Sequence, residues 1–246
     1  MAIAAKRAIE LSRGDGESRT LAEILSIDFE TLVTSLGLLD AAALQAMPSL
    51  AKIGIAKRMR KVADVLIDNA GSAALGTLTD HGSDTVRGIA AFAAARLARA
   101  GGVPQLLSAI EGFADDPHFG VREWAWLAVR DDLAALLDEA IAALVPWTAS
   151  PRPFIRRFAV EVLRPRGVWA RHIATLRREP ARGLPLLEPL KREREKYVQD
   201  SVANWLNDAA KDQPDFVREL CARWLVETEN DPVTRRICAR AQRSLK

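Results

Sequence analysis

A short motif, in which a β-branched residue precedes a cation, recurs along this chain at a nearly constant spacing. Its first three copies are Val86-Arg87, Val121-Arg122 and Ile155-Arg156, separated by 35 and 34 residues. A fourth copy, Val198-Gln199, follows 43 residues later and has glutamine in place of arginine. A period of this length is typical of an α-solenoid built from helix pairs, because one pair cannot bury its apolar face without a neighbour.

Apolar residues recur at the spacing of an α-helix, as in Phe216, Leu220 and Trp224. The sequence lacks the long alternating stretches and Asn-Gly turns that are typical of β-hairpins. We therefore predict an all-α fold, an α-solenoid of HEAT-like repeats whose second helices line a concave face. We expect one domain over residues 1–246, in which residues 1–80 form a divergent helical cap and residues 81–246 form the repeats.

Basic residues are concentrated in one part of the chain. The formal net charge is only +3, but residues 151–200 contain 13 lysines and arginines against 6 acids. Most of these basic residues are arginines, whose guanidinium groups suit bidentate contacts with phosphate. The segment therefore favours a nucleic-acid partner.

Several other classes of protein are disfavoured. The longest apolar stretches, such as residues 88–95, are too short to span a bilayer, and charged residues interrupt the first 13 residues where a signal peptide needs an apolar core. We expect a cytoplasmic monomer with no membrane contact. Cys221 and Cys238 lie in helical patterns, and we expect both to be buried and reduced.

The usual signs of metal, nucleotide or nucleophilic chemistry are absent from the sequence. His81, His118 and His172 are scattered and lack the spacing of metal ligands. The chain has neither a P-loop nor a glycine-rich dinucleotide motif, and it has no nucleophile elbow or catalytic-cysteine motif. We therefore expect no metal site and no nucleotide cofactor.

Three segments combine acids, aromatic residues and arginines in a way that an apolar core does not require. They are residues 121–126 (VREWAW), 153–169 (PFIRRFAVEVLRPRGVW) and 197–208 (YVQDSVANWLND). In the first, Arg122 and Trp126 share a helix face. A surface Arg–Glu pair beside two core tryptophans explains this first segment as well as a functional site does.

The second and third segments place acids near arginine and asparagine. Arg157 and Glu161 share a face, and a turn at residues 165–167 is predicted to place Trp169 at the start of the next helix. Asn204 and Asp208 likewise share a face. An ordinary intrahelical salt bridge accounts for Glu161 but not for the whole cluster, and Asp208 is equally explained as a polar residue at the end of a helix.

These three segments, together with LLEPLKREREK before the third and ARAQRSL at the end, resemble the DNA alkylation repair family, whose two branches are AlkC and AlkD. The resemblance covers about residues 80–246 and is closer to the AlkC branch. It implies a HEAT-like solenoid that holds duplex DNA on its concave face. It also implies hydrolysis of the N-glycosidic bond of cationic alkylated bases, such as 3-methyladenine, without a cofactor.

The resemblance also implies a set of site residues. The acids and the tryptophan of the AlkC lesion site fall on Glu123, Glu161, Trp169 and Asp208, whereas the AlkD branch has an aspartate near the place of Glu123. We expect Glu161 to stabilise a cationic sugar, and Glu123 or Asp208 to orient the attacking water. The residues expected to contact DNA are Arg87, Arg122, Trp124, Arg156, Arg157, Arg166 and Asn204.

Two other functions fit the same fold. A HEAT-like protein can be a non-catalytic scaffold that binds DNA, or an adaptor that binds only protein. A DNA-binding scaffold needs no acids beside its phosphate-binding arginines, because acidic side chains repel the phosphates of DNA. The three acids therefore favour a site at which a cation is stabilised.

Overall fold

The structure, a computed structural model, describes residues 5–50 and 52–245, and all regular secondary structure in these residues is helical. The all-α prediction is therefore confirmed. Among the described residues, no helix combines the length and the apolar character needed to cross a membrane. The chain divides into two compact units, residues 1–129 and 130–246, and this division does not fall at residue 80. A single domain stays a prediction.

The first unit contains the N-terminal helices and most of α9, which continues across the boundary between the units. These helices are α1 (Ala5–Ser12), α2 (Leu21–Leu25), α3 (Phe29–Leu36), α4 (Ala41–Ala46), α5 (Ile55–Ala70), α6 (Ala74–Thr79), α7 (Asp84–Ala98), α8 (Gly102–Ala114) and α9 (Phe119–Ala135). Close packing in this unit depends on Gly88, where an added Cβ would lie 2.3 Å from Cδ1 of Trp124 and 2.6 Å from Cε of Met59. The indole of Trp124 therefore fills the core against α7.

The second unit contains the arginine-rich segment. Its helices are α10 (Leu137–Leu144), α11 (Pro153–Glu161), α12 (Ala174–Arg178), α13 (Leu184–Leu187), α14 (Lys196–Ala210), α15 (Pro214–Glu227) and α16 (Pro232–Ala241). The four copies of the sequence motif lie near the starts of α7, α9, α11 and α14, and the β-branched residue of each copy is buried. The short helices α12 and α13, with the loop before them, occupy the longer interval that precedes the fourth copy.

One turn geometry precedes each of these motif helices, and a similar hydrogen bond is made by the N-cap residue of α16. In each turn a polar side chain accepts a hydrogen bond from the backbone N–H two residues later, which fixes the entry of the chain into the helix. The pairs are Ser83 N–His81 Nδ1 (3.0 Å), His118 N–Asp116 Oδ1 (2.7 Å), Arg152 N–Ser150 Oγ (3.2 Å), Glu195 N–Glu193 Oε1 (2.8 Å) and Val233 N–Asp231 Oδ1 (2.8 Å).

The cation of each sequence motif closes the same turn. Arg87 Nη1 donates to the backbone carbonyl of the residue six positions earlier, at 3.0 Å. Arg122 Nη1 donates to the carbonyls six and five positions earlier, at 2.7 and 2.8 Å. Arg156 Nη1 donates to the two equivalent carbonyls, at 2.8 and 3.3 Å. Gln199 Nε2 makes the same two bonds, at 2.8 and 3.1 Å. Glutamine therefore replaces arginine in the fourth copy without loss of this contact.

The shared contact predicts the effect of removing it. Gln199→Met keeps the apolar volume of the buried side chain but leaves two carbonyls without their donor, so we expect a loss of about 1 to 2 kcal/mol in the free energy of unfolding. Gln45→Met is the matched control, because Gln45 is exposed on α4, and its effect should stay within about 0.5 kcal/mol. Urea unfolding followed by circular dichroism measures both. Equal effects of the two substitutions would contradict the assignment.

Candidate active site

Two of the predicted acids are brought together in the second unit. Glu161 ends α11 and Asp208 lies on α14, and both residues are buried, each with an exposed fraction of 4%. Arg164 stands between them: its Nη1 lies 2.7 Å from Glu161 Oε1, and its Nη2 lies 2.9 Å from Asp208 Oδ2. One guanidinium group thus joins two carboxylates from two different helices.

The carboxylate of Glu161 is bonded at both oxygens. Arg164 donates to Oε1, Ser201 Oγ donates to Oε2 at 2.7 Å, and Arg157 Nη2 lies 3.6 Å from Oε2. Burial by itself would raise the pKa of Glu161, but the charges of Arg157 and Arg164, with the hydrogen bonds from Ser201 and Arg164, hold this pKa below its ordinary value. Glu161 is therefore a fixed negative charge in a buried position.

Asp208 is bonded less completely than Glu161. Both Nε and Nη2 of Arg164 contact its Oδ2, at 3.0 and 2.9 Å. Among the described residues, its Oδ1 receives one long contact, 3.4 Å, from Lys211 Nζ. Burial by itself would lower the pKa of Arg164, but the two carboxylates raise it, so the bridging group stays charged.

Trp169 lies in the loop between α11 and α12, not at the start of a helix as the sequence predicted. The helix begins later, at Ala174, because the intervening backbone is held in a turn in which Ile173 N donates to Pro165 O at 3.0 Å. Trp169 has φ of +56°, a left-handed conformation that is strained for a bulky residue, and it is 47% exposed. The loop therefore presents a large aromatic surface.

Arg130 holds this loop from beneath. Its residue is only 1% exposed, and its guanidinium donates to the carbonyls of Val162 and Arg164, both at 2.5 Å, and of Arg171 at 3.3 Å. Two of these carbonyls follow the end of α11, where a helix leaves its last acceptors unsatisfied. Burial lowers the pKa of Arg130 to about 10, which still leaves it charged at neutral pH.

The remaining predicted acid, Glu123, lies on α9 in the first unit, where its Oε2 accepts a hydrogen bond from Trp126 Nε1 at 2.8 Å. Trp124, on the same helix, is 1% exposed. Contact of Trp124 with DNA stays a prediction, and the structure places its ring inside the protein against α7.

The predicted DNA-binding arginines all have partners within the protein. Besides their turn carbonyls, Arg87 binds Asp116 and Arg156 binds Glu193, each through Nε and Nη2 to both carboxylate oxygens. Phosphate contact by these repeat arginines and by Arg122 stays a prediction, and the fold accounts for all three without it.

The other predicted DNA-binding residues lie in the second unit. Arg157 Nε lies 3.2 Å from Ser201 Oγ, and Arg166 shares Asp212 with Arg177. The hydrogen bonds from Arg177 and Arg166 lower the pKa of Asp212 to about 2, against the smaller opposing effect of burial. Asn204 Oδ1 accepts a hydrogen bond from Arg243 Nη2 at 2.9 Å.

Sequence reasoning missed three residues of this site. Arg164 stands three positions after Glu161, a spacing that predicts an ion pair on a helix, so its contact with Glu161 could have been found. Ser201 and Arg130 gave no such signal, because their contacts join residues 40 and 32 positions apart.

Cys221 and Cys238 are both free and buried, as predicted.

The support given by Arg130 predicts a specific sensitivity at Gly167. A Cβ at this position would lie 2.9 Å from Arg130 Cζ, so Gly167→Ala must displace the guanidinium, and we expect a loss of about 1 to 3 kcal/mol in the free energy of unfolding. In Gly112→Ala, the control on α8, the new Cβ meets nothing within 4 Å, so no loss is expected. Urea unfolding compares the two. Unchanged stability of Gly167→Ala would show that Arg130 does not support the loop at this point.

Comparison by sequence gives a match over part of the chain. No model of a protein family matches the chain. The chain is similar to an uncharacterized protein of Bacillus subtilis, YhaZ, at 38% identity over 97 residues, which are 39% of this chain and 27% of that protein. The similarity to this curated protein thus spans about a quarter of its length.

Three solved structures resemble the whole or most of the chain. The alkylpurine DNA glycosylase AlkC of Pseudomonas fluorescens, solved with DNA containing an abasic site analog, has a TM-score of 0.68 at 24% identity over 100% of this chain and 65% of its own. AlkD2 of Streptococcus mutans and Smu.31 of Streptococcus mutans UA159 each have a TM-score of 0.55 at 19% identity, over 86% and 87% of this chain and 94% and 98% of their own. The HEAT-like-repeat fold and the predicted resemblance in fold are confirmed.

Proposed function

We propose that this chain, which has the fold of AlkC and the AlkD relatives, is a DNA glycosylase of DNA alkylation repair. It hydrolyses the N-glycosidic bond of cationic alkylated bases, such as 3-methyladenine, in duplex DNA. The observation that carries the proposal is the buried pair Glu161 and Asp208, joined by Arg164, together with the exposed Trp169 in the loop that follows Glu161. The solved AlkC complex contains DNA, which supports a DNA partner for a chain of this fold.

The chemistry of a cationic base explains why carboxylates suffice. Such a base leaves as a neutral molecule and needs no acid to protonate it, so the barrier lies in the sugar, which becomes an oxocarbenium-like cation. A carboxylate fixed near the anomeric carbon stabilises this developing charge. No cofactor enters the reaction.

The two carboxylates suit different roles. Glu161 is bonded at both oxygens and has a lowered pKa, so it is a weak base but a stable negative charge, and we assign it to the sugar cation. The contact of Asp208 Oδ1 with Lys211 is long, so this oxygen is the better acceptor for the attacking water. The role expected of Glu123, which lies in the first unit, stays a separate prediction.

Trp169 supplies a surface for the DNA. Its ring is large and half-exposed, and an indole face attracts a cationic base or a sugar with developing positive charge, a contact worth about 0.5 to 2 kcal/mol. In this proposal Arg157, Arg166 and Asn204 contact the surrounding DNA. Binding should therefore weaken as salt increases, because phosphate contacts release counterions.

A non-catalytic scaffold is the competing function. The observation that favours it is the intramolecular pairing of the acids and arginines, since each carboxylate of the pair already has a cationic partner. A scaffold would bind duplex DNA in a salt-dependent manner and release no base from it. A chain that binds only protein would show no salt-dependent DNA binding.

The substitution Glu161→Gln tests the catalytic proposal. It keeps the shape of the side chain but removes the negative charge, so release of 3-methyladenine should fall at least about tenfold while binding to DNA is retained. Free base released from methylated duplex DNA is measured by chromatography under single-turnover conditions.

Glu179→Gln provides the matched control, because the Glu179 side chain is 59% exposed and its pair with Arg182 lies outside the site. Its rate of base release should equal that of the wild type. Unchanged release by Glu161→Gln would remove Glu161 from the mechanism. No release by the wild type, together with salt-dependent binding, would favour the scaffold.

A further inference from the structure

In the part of the chain that the structure describes, the guanidinium of Arg164 contacts both carboxylates of the candidate site. We propose that Arg164 is a positioning residue, which holds Glu161 and Asp208 side by side as the negative element of the active site. This inference rests on the proposed glycosylase function and deepens it. It assigns a role to Arg164, whose contacts with two carboxylates are not explained by phosphate binding.

The geometry of the contact favours arginine at this position. Three guanidinium nitrogens are used: Nη1 for Glu161 Oε1 at 2.7 Å, and Nε and Nη2 for Asp208 Oδ2 at 3.0 and 2.9 Å. The guanidinium is planar and rigid, so it sets both the separation and the orientation of the two carboxylates. A lysine ammonium is a single point of charge, so it cannot hold both carboxylates in one plane.

Arg164 is itself held in place. Its backbone carbonyl accepts a hydrogen bond from the buried Arg130 at 2.5 Å, and its backbone N–H donates to Glu161 O at 3.3 Å. The start of the Trp169 loop and the bridge between the acids are therefore one connected structure. The position of the guanidinium follows from the fold and not from a flexible surface side chain.

Without Arg164, each of the two acids would lose its shortest contact with a cation, and the longer contacts with Arg157 and Lys211 would remain beside them. Both are buried, and two neighbouring carboxylates repel each other, so removal of the guanidinium favours the protonated form of one of them. The site would then lose the charge that the sugar cation needs. Arg164 thus makes two buried negative charges compatible with the folded protein.

Other charged groups surround the pair and contribute to its titration. Arg157 on α11 faces Glu161, and Lys211 follows Asp208 at the end of α14. Arg130 at the start of the second unit acts on both acids by charge, and Arg243 beyond α16 acts on Asp208. None of these contacts bridges the two carboxylates, so they reduce but do not replace the effect of Arg164.

The test compares Arg164→Gln, Arg164→Lys and the wild type in single-turnover release of 3-methyladenine from methylated duplex DNA. The wild-type rate should be nearly independent of pH between about 6 and 8, because the pKa of Glu161 is lowered. Arg164→Gln should be slower, and its rate should rise about tenfold across this range as the protonated acid ionises. Arg164→Lys should restore part of the rate at pH 8.

Thermal unfolding over the same pH range gives a readout that does not depend on activity. A carboxyl whose pKa is raised in the folded protein contributes its full stabilisation below its unfolded pKa, and this contribution is lost as pH rises through the folded pKa. Arg164→Gln should therefore lose stability relative to the wild type as pH increases from about 5 to 8. The Arg218→Gln control removes an exposed arginine that pairs with the exposed Asp215, and it should follow the wild type in both measurements.

The outcomes separate the two proposals. A reduced Arg164→Gln rate with a wild-type pH profile, and a constant difference in melting temperature, would show that Arg164 is only structural. No base release by the wild type would overturn the glycosylase function. In that case a melting difference that grows with pH would still establish that Arg164 holds the two acids, and a constant difference would overturn that role as well.

Discussion

Guanidinium groups that bind backbone carbonyls organise this protein. A stack of short helices creates many helix ends and turns, and each leaves carbonyls that need donors when they are removed from water. Arg122 and Arg156 meet this need at the starts of α9 and α11, and Arg130 meets it after the end of α11. Arginine suits the task, because its several donors lie in a fixed plane and reach two or three carbonyls at once. The fold and the candidate site depend on the same kind of contact.

The site is an extension of this arrangement. Arg130 fixes the backbone after α11, this backbone carries Arg164, and Arg164 joins Glu161 to Asp208. The same loop then presents Trp169 in a strained, half-exposed conformation. Backbone strain of this kind persists only where surrounding contacts maintain it, and it is common at functional sites. A fixed pair of acids and an exposed aromatic ring are the parts on which the proposed function rests.

Arginines that looked alike in the sequence have different roles in the structure. Arg87 and Arg156 close turns and bind acids, whereas Arg164 joins two acids that come from different helices. The basic composition of residues 151–200 is therefore an incomplete guide to DNA binding, because much of this charge is neutralised within the protein. The exposed side chain of Trp169 is a more specific indication of a binding surface, because so large a ring is usually buried in the core and this one is not.

Helical periodicity and the repeated motif were enough to predict an all-α repeat fold, because both follow from local chain geometry and from the need of each helix pair for a neighbour. The resemblance carried by three short segments identified Glu161, Trp169 and Asp208 as candidates. The sequence could not show that Trp124 is enclosed by Gly88 and Met59, or that Ser201 and Arg130 complete the site. Those contacts join residues distant in the chain, and only tertiary packing determines which donor reaches which acceptor. The position of Trp169 was likewise decided by the buried contacts of its loop and not by local helix propensity.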